Sequence, residues 1–371
     1  MSMSSSAYTA MPFYPGPVSM HPDALEALRR DYGPPRFGTG YAELYRATCG
    51  HIRSFAGTRH EVVLPTGEGM LGLWGALKCT LRPGDPVVTV GTGVFGDGFG
   101  DMAAGLGCVV EKVSLPYDST LTEEALERVD DAVRRLKPVV LTAVHCETPS
   151  GTLNPLEGLG RLKRDRGVPL FIVDAVASLG GAPVEADAWN VDILLGGSQK
   201  CFACPADMSI LAVSGAAWER MAEVKYQGYE ALLPFHGADE DPMRFPYTPN
   251  WPGVAALHAA VSALMQEGPA RVFARHKAVA AQCRHGLAEL NIPLWTAPDA
   301  VNSPTVTAAR IPEGFTWPEW REALAARGLV VGGSLGPMNG KVFRLGHMGT
   351  QADPARMEKA LAVMKDVTEK H

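Results

Sequence analysis

A chain of 371 residues with a net charge of −6 and interspersed acidic and basic side chains carries no basic stripe for nucleic acid or an anionic membrane, so a small-molecule partner is predicted. No apolar run approaches the roughly 18 residues of a membrane span, and the Ser-rich stretch Met1–Met11 lacks the apolar centre of a secretion signal. Seven irregularly spaced cysteines predict reduced thiols and a cytoplasmic location, and Cys201-x-x-Cys204 has no second pair to complete a metal site.

In chain order, residues 1–16 read as a leader, poorly ordered at its start and ending in the rigid turn Phe13-Tyr14-Pro15-Gly16-Pro17. A helix near His21–Arg30, a Gly/Pro-rich loop over 33–40 and a helix over Tyr41–Phe55 follow. The strand Val62–Leu64 then runs through Thr66-Gly67-Glu68-Gly69 into a helix ending near Thr80. Strands are predicted at Val87–Val90, Cys108–Val113, Val139–Val144, Leu170–Val173, Ile193–Leu195 and Met208–Val213, with helices at Gly96–Gly107 and Thr122–Leu136 between the earlier ones. This alternation predicts an α/β fold with a mainly parallel, doubly wound sheet in a large domain over 17–266. An irregular Pro-rich segment (234–252) leads into helices at Val254–Gln266 and Ala270–Leu290. Beyond them, a β-α-β-β-α pattern from Thr305 to Val367 predicts a smaller α/β domain within 267–371.

Two strand ends carry the chemistry. Pro169-Leu-Phe-Ile-Val-Asp174 places a carboxylate at the carboxyl end of a strand, where open α/β sheets bind ligands. Twenty-six positions later, Gly196-Gly197-Ser198-Gln199-Lys200 presents one lysine from a small-residue loop. An amine that forms a Schiff base and a buried carboxylate that keeps a pyridine nitrogen protonated are what a protein contributes to pyridoxal chemistry.

A rival motif points to a nicotinamide-dependent oxidoreductase. Val87-Val-Thr-Val-Gly91-Thr-Gly93-Val-Phe-Gly96 is a strand running into G-x-G-x-x-G, and Glu111 follows Gly91 by 20 residues, as an acidic ribose ligand would. That reading leaves Lys200 and Asp174 without a task. The plainer alternative is a tight turn that aims Phe95 into the pocket.

Four separated stretches, in order, resemble the class V aminotransferases of fold type I, the alanine-glyoxylate and serine-pyruvate type. They are His145-Cys-Glu-Thr148-Pro-Ser-Gly151-Thr-Leu-Asn-Pro155, Val173-Asp174-Ala-Val176-Ala-Ser-Leu-Gly-Gly181, Gly197-Ser-Gln-Lys200 and Lys341-Val-Phe-Arg344-Leu-Gly346. The resemblance implies an aminotransferase using pyridoxal 5′-phosphate, with Lys200 as Schiff-base lysine and Asp174 as partner of the ring nitrogen. Val176 and Phe95 would flank the ring, Thr148 would meet its hydroxyl, and Arg344 would take the substrate carboxylate. Glu68, Gly69 and Gln199 fall at the cofactor end of the site. A homodimer is also implied, with Tyr247 and Thr248 reaching the neighbour's site. Alanine or serine would exchange its amino group with pyruvate or glyoxylate.

Within the family, Gly67-Glu68, Gly93–Gly100, Phe245-Pro-Tyr-Thr-Pro249 and Arg344-Leu-Gly-His-Met-Gly349 are most similar to pyridoxamine-pyruvate aminotransferases, for which free pyridoxamine or pyridoxal is a substrate. Glu68 stands where phosphate-binding relatives have a small hydroxyl residue. Two positions depart from that subgroup: Gln199 replaces an asparagine, and Leu335 stands where a second arginine is expected. A lyase or desulfurase would need a reactive cysteine, for which Cys146 is the one candidate. A non-catalytic pyridoxal-fold binding module is the remaining alternative.

Overall fold

The structure, a computed structural model, describes residues 10–34, 40–238, 240–241 and 245–370. Residues 1–9 of the expected leader, 35–39 of the Gly/Pro-rich loop, and 239 and 242–244 of the Pro-rich segment lie outside them.

Seven strands form the large sheet. They are β2 (Glu61–Val63), β3 (Pro86–Gly91), β4 (Val109–Ser114), β5 (Val140–Val144), β8 (Leu170–Asp174), β9 (Ile193–Gly197) and β10 (Ser209–Val213). Their spatial order is β2-β10-β9-β8-β5-β3-β4, and β10 alone runs antiparallel to its neighbours. The sheet is thus mainly parallel, as the alternating pattern predicts. Central strands such as Leu170–Asp174 and Val140–Val144 are buried along their whole length, which is why they read as unbroken apolar runs and not as alternating ones. Helices α3 (Gly69–Thr80), α4 (Val94–Gly105) and α5 (Glu123–Leu136) pack on it. Helix α5 starts at Thr122, whose side chain accepts from Ala125 N, and ends on Lys137 in the left-handed region.

The second sheet has the order β1-β12-β13-β11, from β1 (Met11–Phe13), β12 (Leu329–Gly333), β13 (Val342–Gly346) and β11 (Val306–Arg310). It has its own core, in which Phe13, Trp320, Leu324, Phe343, Met357 and Met364 are buried together. Helices α8 (Trp251–Glu267) and α9 (Pro269–Glu289) join the two sheets, broken at Gly268 with φ +90°.

The leader expectation is corrected at its end. Met11–Phe13 pairs in parallel with Leu329–Val331, so the chain starts its described part in the second sheet and then crosses to the first. Three residues are too short to show a period. Helices α6 (Glu157–Arg166) and α7 (Gly215–Val224) and the hairpin of β6 (Cys146–Glu147) with β7 (Thr152–Leu153) also escaped the sequence reading. In α6, Glu-Gly-Leu-Gly-Arg-Leu-Lys-Arg-Asp-Arg buries only Leu159 and Gly160, which leaves almost no apolar stripe.

Candidate active site

The site lies at the carboxyl edge of the large sheet, where β8 ends in Asp174, β9 runs into the Lys200 loop, β5 precedes Thr148, and β3 precedes Phe95. A cavity of about 320 Å³ opens there. Eight predicted residues line it together: Glu68, Gly69, Phe95, Thr148, Asp174, Val176, Gln199 and Lys200.

Asp174 is 6% exposed, and its Oδ1 accepts from Val176 N at 2.7 Å. Burial raises its pKa to about 6, partly offset by that bond and by the Lys200 charge. Such a carboxylate is completed by a protonated nitrogen placed in the cavity. Lys200 is held down in pKa by burial first and by the Arg344 charge second, which favours the neutral, nucleophilic amine. Its Nζ donates to the Pro15 carbonyl at 2.6 Å. Gly16, with φ +94°, is required there: a Cβ would lie 2.6 Å from Nζ.

The floor of the cavity depends on small residues. A Cβ on Gly69 or Gly197 would stand within 3.3 Å of the Val176 methyls, so both glycines let Val176 rise into the cavity opposite Phe95's helix. At the other end, Glu68 caps α3. Its Oε1 accepts from Met70 N at 3.0 Å and its Oε2 from Gln199 Nε2 at 3.1 Å. The residues present therefore fit a flat pyridine ring with a cationic nitrogen and an aldehyde carbon facing Lys200.

Three predicted residues do not line this cavity. Arg344 is 6% exposed on β13, donates from Nε to the Gly333 carbonyl at 2.6 Å, and faces an adjoining groove shared with Tyr14, Trp317 and Leu335. Tyr247 stacks on Tyr229 at 4.7 Å and its hydroxyl accepts from Thr66 N, while Thr248 is exposed. The sequence reading missed Gly16 and Pro17 as cavity walls; the signal was a glycine between two prolines, which it took only as a turn.

The dinucleotide reading is corrected by Glu147. This carboxylate is fully buried under the start of α4 and accepts from Gly96 N at 2.6 Å and from Phe95 N at 3.3 Å. It fills the helix terminus where a pyrophosphate would sit, and Gly93 lacks a Cβ because one would meet Glu147. Glu111 pairs with Arg135 instead of awaiting a ribose. Cys146 lines the cavity but burial raises its pKa to about 11, and its Sγ donates to Ser303 Oγ, so it packs as a protonated thiol. Cys201 and Cys204 are buried free thiols, and among the described residues no group of side chains could hold a metal ion.

Comparison with known proteins agrees with this geometry. The model of the aminotransferase class-V family matches residues 36–337. A pyridoxamine–pyruvate transaminase of Mesorhizobium japonicum is 32% identical over 94% of this chain and 89% of its own length. An alanine–glyoxylate aminotransferase of Callithrix jacchus is 31% identical over 83% of this chain and 76% of its own. The crystal structure of an alanine–glyoxylate aminotransferase from Nostoc sp. superposes with a TM-score of 0.91 at 26% identity, covering 99% of this chain and 97% of that one. The chain thus belongs to the class V aminotransferases and is a transaminase.

Proposed function

We propose that this transaminase moves an amino group between a small monocarboxylic amino acid, alanine or serine, and pyruvate or glyoxylate, on a pyridoxal ring attached at Lys200. The observation that carries the reading is half-buried Lys200 and buried Asp174 in one cavity, with one buried arginine, Arg344, beside it. Pyridoxal 5′-phosphate, the cofactor of this family, supplies when bound an aldehyde for amines and an electron sink for the substrate Cα–H bond. Asp174 holds the proton on the ring nitrogen. Lys200, as a neutral amine, would carry the proton taken from the substrate Cα. Of the residues lining the cavity, Phe95 and Val176 would confine the ring, Thr148 would bind its hydroxyl, and Gly69, Glu68 and Gln199 would hold its phosphate-bearing end.

Arg344 offers a planar fork to one carboxylate and is the one buried arginine of its groove; Arg321 there is exposed and next to Glu322, and Leu335 adds no charge. A dicarboxylic acid would leave a charge desolvated and unpaired. Steady-state comparison of pyruvate, glyoxylate and 2-oxoglutarate as acceptors tests this. Pyruvate or glyoxylate should lead, and a preference for 2-oxoglutarate would refute it and implicate another arginine, such as Arg36, which lies outside the described residues.

The Glu68 cap favours a second reading, in which free pyridoxamine or pyridoxal is the substrate. Its carboxylate already satisfies Met70 N, and at an effective dielectric of about 20 two unit charges ~4 Å apart repel by ~4 kcal/mol. A hydroxymethyl group could donate to that carboxylate, and a phosphate could not. Comparing the affinities of pyridoxal and its phosphate decides between the two readings.

Three further assignments belong to this proposal. The chain works as a homodimer, supported by the exposure of Thr248 away from its own cavity, and sedimentation tests it. Its domains run over 17–266 and 267–371. It resides in the cytoplasm; among the described residues no helix is long and apolar enough to cross a membrane.

A further inference from the structure

The reactive lysine and its nearest hydrogen-bond acceptor come from different sheets. Lys200 follows β9 of the large sheet, whereas Pro15 directly follows the β1 residues that pair with β12 of the small one. Between β1 and α1 (Pro22–Leu28) the chain forms a strap that crosses the Lys200 loop. Val18 N donates to the Gln199 carbonyl at 3.1 Å and His21 N to the Ala203 carbonyl at 2.7 Å.

The strap is pinned by one buried side chain. Gln351, fully buried, donates from Nε2 to the Tyr14 carbonyl at 3.0 Å and to the Gly346 carbonyl, and its Oε1 accepts from Ser19 N at 3.3 Å. Both N–H groups of the amide are thereby spent, on the Tyr14 and Gly346 carbonyls, while its oxygen holds Ser19, so the one side chain fixes the strap on either side of Pro15. The small sheet is shaped to receive the strap: a Cβ on Gly346 would lie 2.4 Å from Pro15 Cα, and one on Gly332 2.7 Å from Pro15 Cδ. Gln351 is not itself part of the cavity lining, and its hydrogen bonds go to Tyr14, Ser19 and Gly346, not to Lys200.

We propose that Gln351 is a positioning residue for Lys200, acting through the strap so that the Pro15 carbonyl stays at the amine and fixes its direction. Arg344 stands on β13 of the same small sheet, so the arginine assigned to the substrate carboxylate and the carbonyl that holds the amine ride on one body. The proposal rests on Lys200 being the reactive amine, as argued above.

The charged and titratable groups acting on Lys200 are Arg344 from β13, Asp174 from β8, Cys146 from β6 and Cys201 from its own loop. None is altered by a change at Gln351. A carbonyl acceptor stabilises the ammonium form over the neutral amine, so losing it lowers the pH at which Lys200 becomes reactive.

The test labels the full-length chain, freed of any bound ring, with trace acetic anhydride across pH and quantifies the Lys200 peptide by mass spectrometry. Gln351→Met keeps the volume but removes the clamp, and Gly332→Ala crowds Pro15 from a residue that Gln351 does not bond. In both, the labelling midpoint of Lys200 should fall by about one pH unit. Leu324→Ala, which opens the small-sheet core away from the strap, should lower the melting temperature but leave the midpoint in place. A midpoint that is unchanged or raised in both strap variants overturns the proposal. Because the reagent reads the amine itself, that result is distinct from a failure of pyridoxal to attach at Lys200.

Discussion

Two helices in this molecule begin on a glutamate carboxylate, and the two do different work. Helix α3 is capped by its own Glu68, which is half-buried, lines the cavity and also takes a bond from Gln199. Helix α4 is capped by Glu147, which comes from β6, is fully buried and does not line the site cavity. Both helix starts follow glycine-rich turns and would otherwise be anion sites. One carboxylate therefore faces the cavity, and the other closes a helix terminus and accepts from Phe95 N. A glycine motif read from sequence does not reveal which carboxylate the fold will bring to it.

Removing the buried cap should cost most. Glu147→Ala leaves the Phe95 and Gly96 N–H groups without their acceptor, and a loss of roughly 2–3 kcal/mol is expected from thermal or urea unfolding. Nicotinamide dinucleotides should still fail to bind by titration; tight binding to the wild type would revive the oxidoreductase reading. Glu68→Ser, by contrast, replaces one good cap by another, so the melting temperature should barely move. The affinity for pyridoxal phosphate should rise by roughly ten- to a hundredfold, with little change for pyridoxal, because only the ester carries the repelled charge. Equal gains for both ligands would show that Glu68 acts by bulk and not by charge.

A pH series separates the two caps. Burial raises the Glu147 pKa to about 8, above its unfolded value near 4.5. The native state then holds the proton that the unfolded state has lost, so stability contributed by the neutral acid is full below 4.5 and is lost as pH rises through 8. The melting temperature of the ring-free protein should fall from pH 6 to 8, and Glu147→Gln should flatten that slope. A slope unaffected by the substitution would mean that Glu147 stays ionised.

Much of this was legible from residue order. Lys200, Asp174, Val176 and Thr148 each stand at a strand end or in the turn beyond it, and Phe95 opens the helix after one; strand ends are marked by where apolar runs stop. The parallel sheet was legible for the same reason, because buried strands cannot alternate with polar residues. What stayed hidden depends on distant contact. Pro15 reaches Lys200 across 185 positions, Gln351 reaches Tyr14 across 337, and Glu147 meets Gly96 across 51. β1 was hidden because three residues in a Pro-containing segment acquire a strand only from the partner β12. Arg344 was found, but in a groove next to the cavity and not in its wall, since β13 turns its Nε onto the Gly333 carbonyl.

The attachment point of the ring tests the central claim most directly. Wild-type protein incubated with pyridoxal, or with its phosphate, and then reduced with borohydride should carry one added ring on the peptide that contains Lys200. Lys200→Ala should take up none there, and its turnover should drop by roughly four orders of magnitude or more, because nucleophile and proton carrier disappear together. A ring fixed on another peptide, or substantial turnover by Lys200→Ala, would contradict the account.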